Sequence, residues 1–208
     1  MSGVIRLVLF DFGGVLAPEG FQLGILKLAH RFGMSFEEMY DIAGRRAAFE
    51  SGYTAGKSGE ERYWEILEKY LNSDKPLRPC RDYFLDNFQP RKEMLELAES
   101  LEDRVGRGIF SDQTNWIYEL DSTYGFIKLF EYVCVSYDKG LTKHDEEFYR
   151  LPSRETGLDP SEILLIDDKD RVLDMARSAG MLTYKLVFVS ECIEYINSLS
   201  ESFRPLNL

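Results

Sequence analysis

The apolar run Val4–Phe10, interrupted only by Arg6, ends on Asp11 and breaks after Phe12 into Gly13 and Gly14. A β-branched run bounded in this way predicts a buried strand. The two glycines let the backbone turn sharply and leave its groups open to a ligand. The pattern recurs downstream. Arg107–Phe110 ends on Ser111, Tyr132–Asp138 reads as a strand whose loop leads to Lys143, and Ile163–Ile166 ends on Asp167 and Asp168. Leu182–Val187 reads as a fifth strand. Helical segments separate the strands. The one over 90–102 carries Met94, Leu95, Leu97, Ala98 and Leu101 on one face, and others are expected over 171–179 and 190–199. Such alternation predicts a parallel sheet joined by right-handed crossovers. Parallel strands end on one side, so a carboxylate, a hydroxyl, an amine and a carboxylate pair converge on one crevice.

Residues 17–88 break the alternation and read as helices only, near 20–32, 35–50, 58–71 and 79–88. Ser35–Glu38 and Ser58–Glu61 both fit a capping box. Gly52–Gly56 reads as a turn, and Pro76 and Pro79 bracket another break. Ala17–Gly20 and Asn87–Pro90 are expected to link this helical unit to an α/β core formed by 1–16 and 89–208. The tail 201–208 is expected to be loosely held.

The 208 residues suffice for one domain plus a small insertion. A formal charge of −11 argues against nucleic acid and anionic membrane surfaces as partners. Asp11 cuts the N-terminal apolar run too short for a secretory signal, and no segment is long and apolar enough to span a bilayer. Cys80, Cys134 and Cys192 are odd in number and far apart. They suit a reducing cytoplasm better than a disulfide framework.

Four strand ends in register carry a resemblance. The chain resembles the haloacid dehalogenase (HAD) superfamily of aspartate-nucleophile phosphohydrolases over nearly its whole length. Asp11-Phe-Gly-Gly-Val-Leu looks like the first motif, Ser111 the second, Lys143 the third and Asp167-Asp168 the fourth. The resemblance implies a Rossmann-like doubly wound parallel sheet with an inserted α-helical cap domain of the small-cap subgroup. It implies Asp11 as nucleophile, Ser111 and Lys143 as catalytic partners, and Mg²⁺ held by Asp11, the Gly13 carbonyl and Asp168, with Asp167 orienting a metal-bound water. Substrate contacts are expected from Ser111, Asp112, Gly14 and, in the cap, Arg46.

Chemically, a carboxylate that attacks phosphorus splits one displacement into two easier ones through an aspartyl-phosphate. The transferred charge needs Lys143, donors such as Ser111 and glycine-loop N–H groups, and a hard cation. Two positions depart from the family. Gly13 stands where its phosphatases carry a second aspartate, which protonates the leaving oxygen and later activates water. Three readings follow: a substrate with a good leaving group, replacement by Glu19 or Asp170, or a weak or absent activity. Some bacterial sugar-phosphate phosphatases with a DxGxV first motif also carry glycine here. Lys169 follows the fourth motif where a small polar residue is usual; it either weakens metal binding or points outward.

The expectation is a cytoplasmic, magnesium-dependent phosphatase of a small phosphorylated metabolite. The alternatives are a noncatalytic or regulatory protein of the same fold, and a carbon–halogen hydrolase. The latter needs no metal, against which the Asp167-Asp168 pair counts.

Overall fold

The computed structural model describes residues 3–206. Five parallel strands form one sheet in the order β3-β2-β1-β4-β5: β1 Leu7–Phe10, β2 Gly106–Ser111, β3 Tyr132–Val135, β4 Ile163–Asp167 and β5 Leu182–Lys185. Order reverses between β1 and β4, so the crevice outside their C-terminal ends is the switch point of the sheet. Asp11 follows β1 and Asp167 ends β4, with Phe10 opposite Ile166 in register.

β1 is apolar at every position because both faces are covered. Val8 and Phe10 pack with Met94, Leu97, Ile117 and Ile196 on one face. Leu7 and Leu9 pack with Phe110, Phe148, Val172 and Ala176 on the other. The helices Lys92–Ser100, Asp170–Ser178 and Val189–Ser198 lie within one or two residues of their expected spans.

Strand β3 is shorter than expected. The Ser136 hydroxyl donates to the carbonyls of Thr54 and Gln113, and the chain turns into a short helix, Ser136–Lys139. The tail is not loose over its described part. Phe203 is buried, Ile5 pairs with it in a parallel bridge, and Arg204 N–H donates to the Ile5 carbonyl. Asn207 and Leu208 lie outside the described residues.

The segment between β1 and β2 is helical and builds a core of its own around Ile25, Leu28, Met39, Trp64, Leu67 and Phe84, joined by Trp116 from the helix Trp116–Tyr124. The helices Gly20–Phe32 and Glu60–Tyr70 match expectation. The 35–50 helix is present, but its middle turn, Tyr40–Ala47, is wound as a π-helix. Ser35 makes the expected capping box with Glu38. Ser58 does not: the helix starts after Gly59, which is extended, and the Ser58 hydroxyl turns to the Gly59 carbonyl. The helix expected over 79–88 is a 3₁₀ turn, Arg78–Arg81, followed by one turn, Asp82–Leu85. Pro79 lies in the first turn, where its missing N–H costs nothing, and starts the segment.

Candidate active site

β1 delivers Asp11 and β2 delivers Ser111, while Lys143 comes from the loop after Ser136–Lys139 and β4 delivers Asp167 and Asp168. Asp11, Ser111, Lys143 and Asp167 are 4, 1, 3 and 0 % exposed. Lys143 Nζ lies 2.9 Å from Asp11 Oδ1 and 2.7 Å from Asp167 Oδ2. The Ser111 hydroxyl donates to Asp11 Oδ1 at 2.6 Å, and the Phe12 N–H donates to the same oxygen at 2.7 Å. Three donors therefore clamp one oxygen of Asp11 and fix the direction of the other.

Lys143 is itself held from three sides. Its N–H donates to Asp112 Oδ1, and its carbonyl accepts from the Tyr149 hydroxyl and from Arg171 Nη1. The Asp112 carboxylate, expected to contact substrate, thus also fixes the Lys143 backbone. Tyr149 and Arg171 carry no local signal in the sequence, because their part depends on folding over a loop 6 and 28 residues away. Arg91 is a third such residue. It donates to the Gly14 carbonyl at 2.9 Å and braces the glycine loop.

Burial raises the Asp11 carboxyl, but Lys143, Lys169 and the Ser111 hydrogen bond outweigh it and hold it below the ordinary carboxylate range. Burial works against the charge on Lys143, yet Asp11, Asp167 and Asp112 around it raise its ammonium well above the usual value. Asp167 and Asp168 are both pushed up, first by burial, with Asp11 adding repulsion against the pull of the lysines.

The cluster holds more carboxylate than it neutralises. One oxygen from each of Asp11, Asp167 and Asp168 lies within 4.8 Å of the others, and Asp168 Oδ1 is buried with no hydrogen-bond partner among the described residues. Hard oxygen donors at such spacing, one of them unpartnered, fit a hard divalent cation. Asp167 is the least available, since Oδ2 faces Lys143 and Oδ1 accepts the Lys169 N–H.

The glycine loop is shaped by Asp168. Gly14 has φ +93°, and a Cβ there would stand 2.6 Å from the Asp168 carboxyl. Only glycine lets that carboxylate lie against the loop. The Gly14 N–H, expected to face substrate, donates instead to the Ala17 carbonyl and closes the turn. Gly13 differs: a Cβ there would meet Phe88, Gln113 and Glu19 only at 3.5–3.8 Å.

Lys169 does not point outward. Its Nζ lies 2.5 Å from Glu19 Oε1, across the mouth of the crevice. Asp170 is exposed and pairs with Lys185. Arg46 is also outside the cluster; it is largely exposed and pairs with Asp41 at 2.6 Å. Cys80, Cys134 and Cys192 are free and buried. Among the described residues no helix is long and apolar enough to cross a membrane.

A second buried charge lies between the helical segment and the core. Glu60 accepts from Trp64 Nε1 at 2.8 Å, Trp116 Nε1 at 2.9 Å and Arg81 Nε at 2.9 Å. The cavity of about 810 Å³ beside it is lined by Glu60, Arg78, Arg81, Asn115, Glu119 and Tyr137 and contains none of the Asp11 cluster.

A strand-end carboxylate, a lysine, a hydroxyl and an acidic pair thus meet at the switch point of the sheet. The model of haloacid dehalogenase-like hydrolases matches residues 5–180, and the chain belongs to that family. A predicted HAD-like family hydrolase from Porphyromonas gingivalis superposes with a TM-score of 0.78 at 21 % identity, covering 95 % of this chain and 98 % of that one. HAD family enzyme bt-2542 from Bacteroides thetaiotaomicron, in complex with magnesium and inorganic phosphate, gives 0.69 at 17 % identity, covering 87 % and 93 %. L-2-haloacid dehalogenase from Xanthobacter autotrophicus, with chloropropionic acid covalently bound, gives 0.65 at 17 % identity, covering 97 % and 85 %. At these identities the likeness is one of fold. No curated protein sequence matches the chain significantly.

Proposed function

We propose that this HAD-like hydrolase is a magnesium-dependent phosphatase of a small phosphorylated metabolite, working through an aspartyl-phosphate on Asp11. The observation that carries the reading is the carboxylate excess. Asp11, Asp167 and Asp168 offer oxygens within 4.8 Å of one another, and Asp168 Oδ1 is left without a partner. A dehalogenase has no need of that seat. The Bacteroides relative that carries magnesium and phosphate supports the same choice.

Asp11, Asp168 and the Gly13 carbonyl would hold the metal, with Asp167 beside it. When bound, magnesium supplies positive charge to the phosphoryl oxygens. The chain's own residues do the rest. An oxygen of the Asp11 carboxylate, held in direction by Ser111, Phe12 and Lys143, attacks phosphorus. Lys143 stays charged and balances the equatorial oxygens, and Ser111 donates to one of them as it turns from Asp11. Tyr149, Arg171 and Asp112 keep Lys143 in place. Residues 17–88 act as the cap that excludes water and contacts the variable part of the substrate, on the core of 1–16 and 89–208. The test is phosphate release from a panel of phosphometabolites, with magnesium and with chelator. Turnover that needs magnesium is expected. Folded protein that hydrolyses none of them, and binds no magnesium, would make it a noncatalytic member of the family.

A further inference from the structure

The Gly13 position lacks the carboxylate that would pass a proton to the leaving group, yet the space beside it is not bare. Glu19 Oε2 stands 3.8 Å from the point where a Cβ on Gly13 would be. The Gly13 backbone does not exclude a side chain, because its φ lies outside the left-handed region and the built Cβ meets no atom closer than 3.5 Å. The three nearest neighbours of that Cβ would be Phe88 at 3.5 Å and Gln113 and Glu19 at 3.8 Å, and Glu19 is the one carboxylate among them.

Glu19 is also fixed there. It precedes the helix Gly20–Phe32 but caps it with no side-chain hydrogen bond. Its side chain is 23 % exposed and turns to Lys169 across the crevice. Phe88 and Gln113 close the same pocket. Asp170, the other carboxylate nearby in sequence, faces away toward Lys185.

Resting on the phosphatase reading, we infer that Glu19 is the general acid and base of this enzyme, reaching from the start of the helical segment into the place left by Gly13. In the first step Asp11 bonds to phosphorus, the bond to the leaving oxygen breaks, and Glu19 gives that oxygen its proton. In the second, the Glu19 carboxylate takes a proton from water. The water oxygen bonds to phosphorus, the bond to Asp11 breaks, phosphate leaves, and Glu19 is protonated again. One water is consumed and both side chains return to their starting state.

The test uses p-nitrophenyl phosphate with magnesium, following nitrophenol release by rapid mixing and phosphorylated Asp11 by acid quench and mass spectrometry. This leaving group needs no acid, so removal of Glu19 exposes the second step. The wild-type protein should release nitrophenol linearly. Glu19→Ala should give a burst near one per active site, accumulated phospho-Asp11 and a steady rate lower by about 10²–10⁴-fold. Glu19→Gln, which keeps the size, should do the same. Gly13→Asp in the Glu19→Ala background should shorten the phosphoenzyme lifetime at least about tenfold. Wild-type rates in both Glu19 variants, or slow rates without accumulated phosphoenzyme, overturn the role of Glu19 and leave the phosphatase reading standing. No magnesium-dependent turnover and no phospho-Asp11 in the wild-type protein overturn that reading, and the role of Glu19 with it.

Discussion

Two buried acidic sites, one at the C-terminal edge of the sheet and one under the helical segment, handle charge in opposite ways. Around Glu60 a single carboxylate meets two tryptophan N–H groups and the Arg81 guanidinium, which continues to Glu119. Both oxygens of that carboxylate have donors, so neither is left bare. Around Asp11 the balance is reversed: Asp11, Asp167 and Asp168 crowd one buried lysine, and one oxygen stays bare. Buried charge is tolerated when paired and hydrogen-bonded, and costs heavily otherwise. The saturated site holds the fold together, and the unsaturated one could hold a metal. Glu60 joins Trp64 of one element to Trp116 of another, 56 residues from Glu60 in the chain. It ties the helical segment to the core.

The sharpest test of the contrast is at Asp11. Asp11→Asn should lower turnover by at least about 10³-fold, about 4 kcal/mol of transition-state stabilisation. Its melting temperature should fall only modestly, since the fold loses a charge that Lys143, Lys169 and Ser111 favour while Lys143 keeps Asp167. Residual activity above a few per cent would remove Asp11 from the nucleophile role.

At Glu60 the opposite outcome is expected. Glu60→Ala leaves two indole N–H groups without an acceptor and Arg81 with Glu119 alone, so denaturant unfolding should show a loss of about 3 kcal/mol. A change below about 1 kcal/mol would mean that water replaces the carboxylate and that this site is not a tie.

Magnesium should discriminate between the two sites directly. Bound only by the folded state, at a hundredfold excess over its Kd it adds about 2.7 kcal/mol. That corresponds to a rise of about 5–10 °C in melting temperature. Asp168→Ala should abolish the rise, whereas Glu60→Ala should lower the baseline and keep it. An unchanged melting temperature at millimolar magnesium would count against the metal seat.

The smallest effect is expected from Trp116→Phe, which removes one of the donors to Glu60 and keeps most of the ring. A charge-assisted hydrogen bond of this kind contributes about 1.5–3 kcal/mol, and thermal or urea unfolding would read it.

The sheet was legible in the chain because its rules are local. A strand buried on both faces is apolar throughout, and its end is marked by the first polar residue and the turn that follows. Asp11, Ser111 and Asp167 could thus be placed at strand ends, and the parallel order makes them neighbours. The same rules misjudged β3, because Ser136 stops the strand through carbonyls at Thr54 and Gln113. They misjudged the helical start at Ser58, where the extended Gly59 intervenes. Nor did they show that Asp112 holds the Lys143 backbone and that the Gly14 N–H closes the loop on Ala17. Arg46 had only its charge to recommend it, and Asp41 takes that up.

Local pattern was thus enough for the sheet, the main helices and the residue types that converge on the crevice. Which oxygen of Asp11 is clamped, which oxygen of Asp168 is bare, and where Lys169 and Glu19 meet were decided only in three dimensions. Hydrophobic periodicity reports which way a residue faces within its own element. The partner of a polar atom is set by other elements brought close by the packing, and no spacing in the chain encodes that distance.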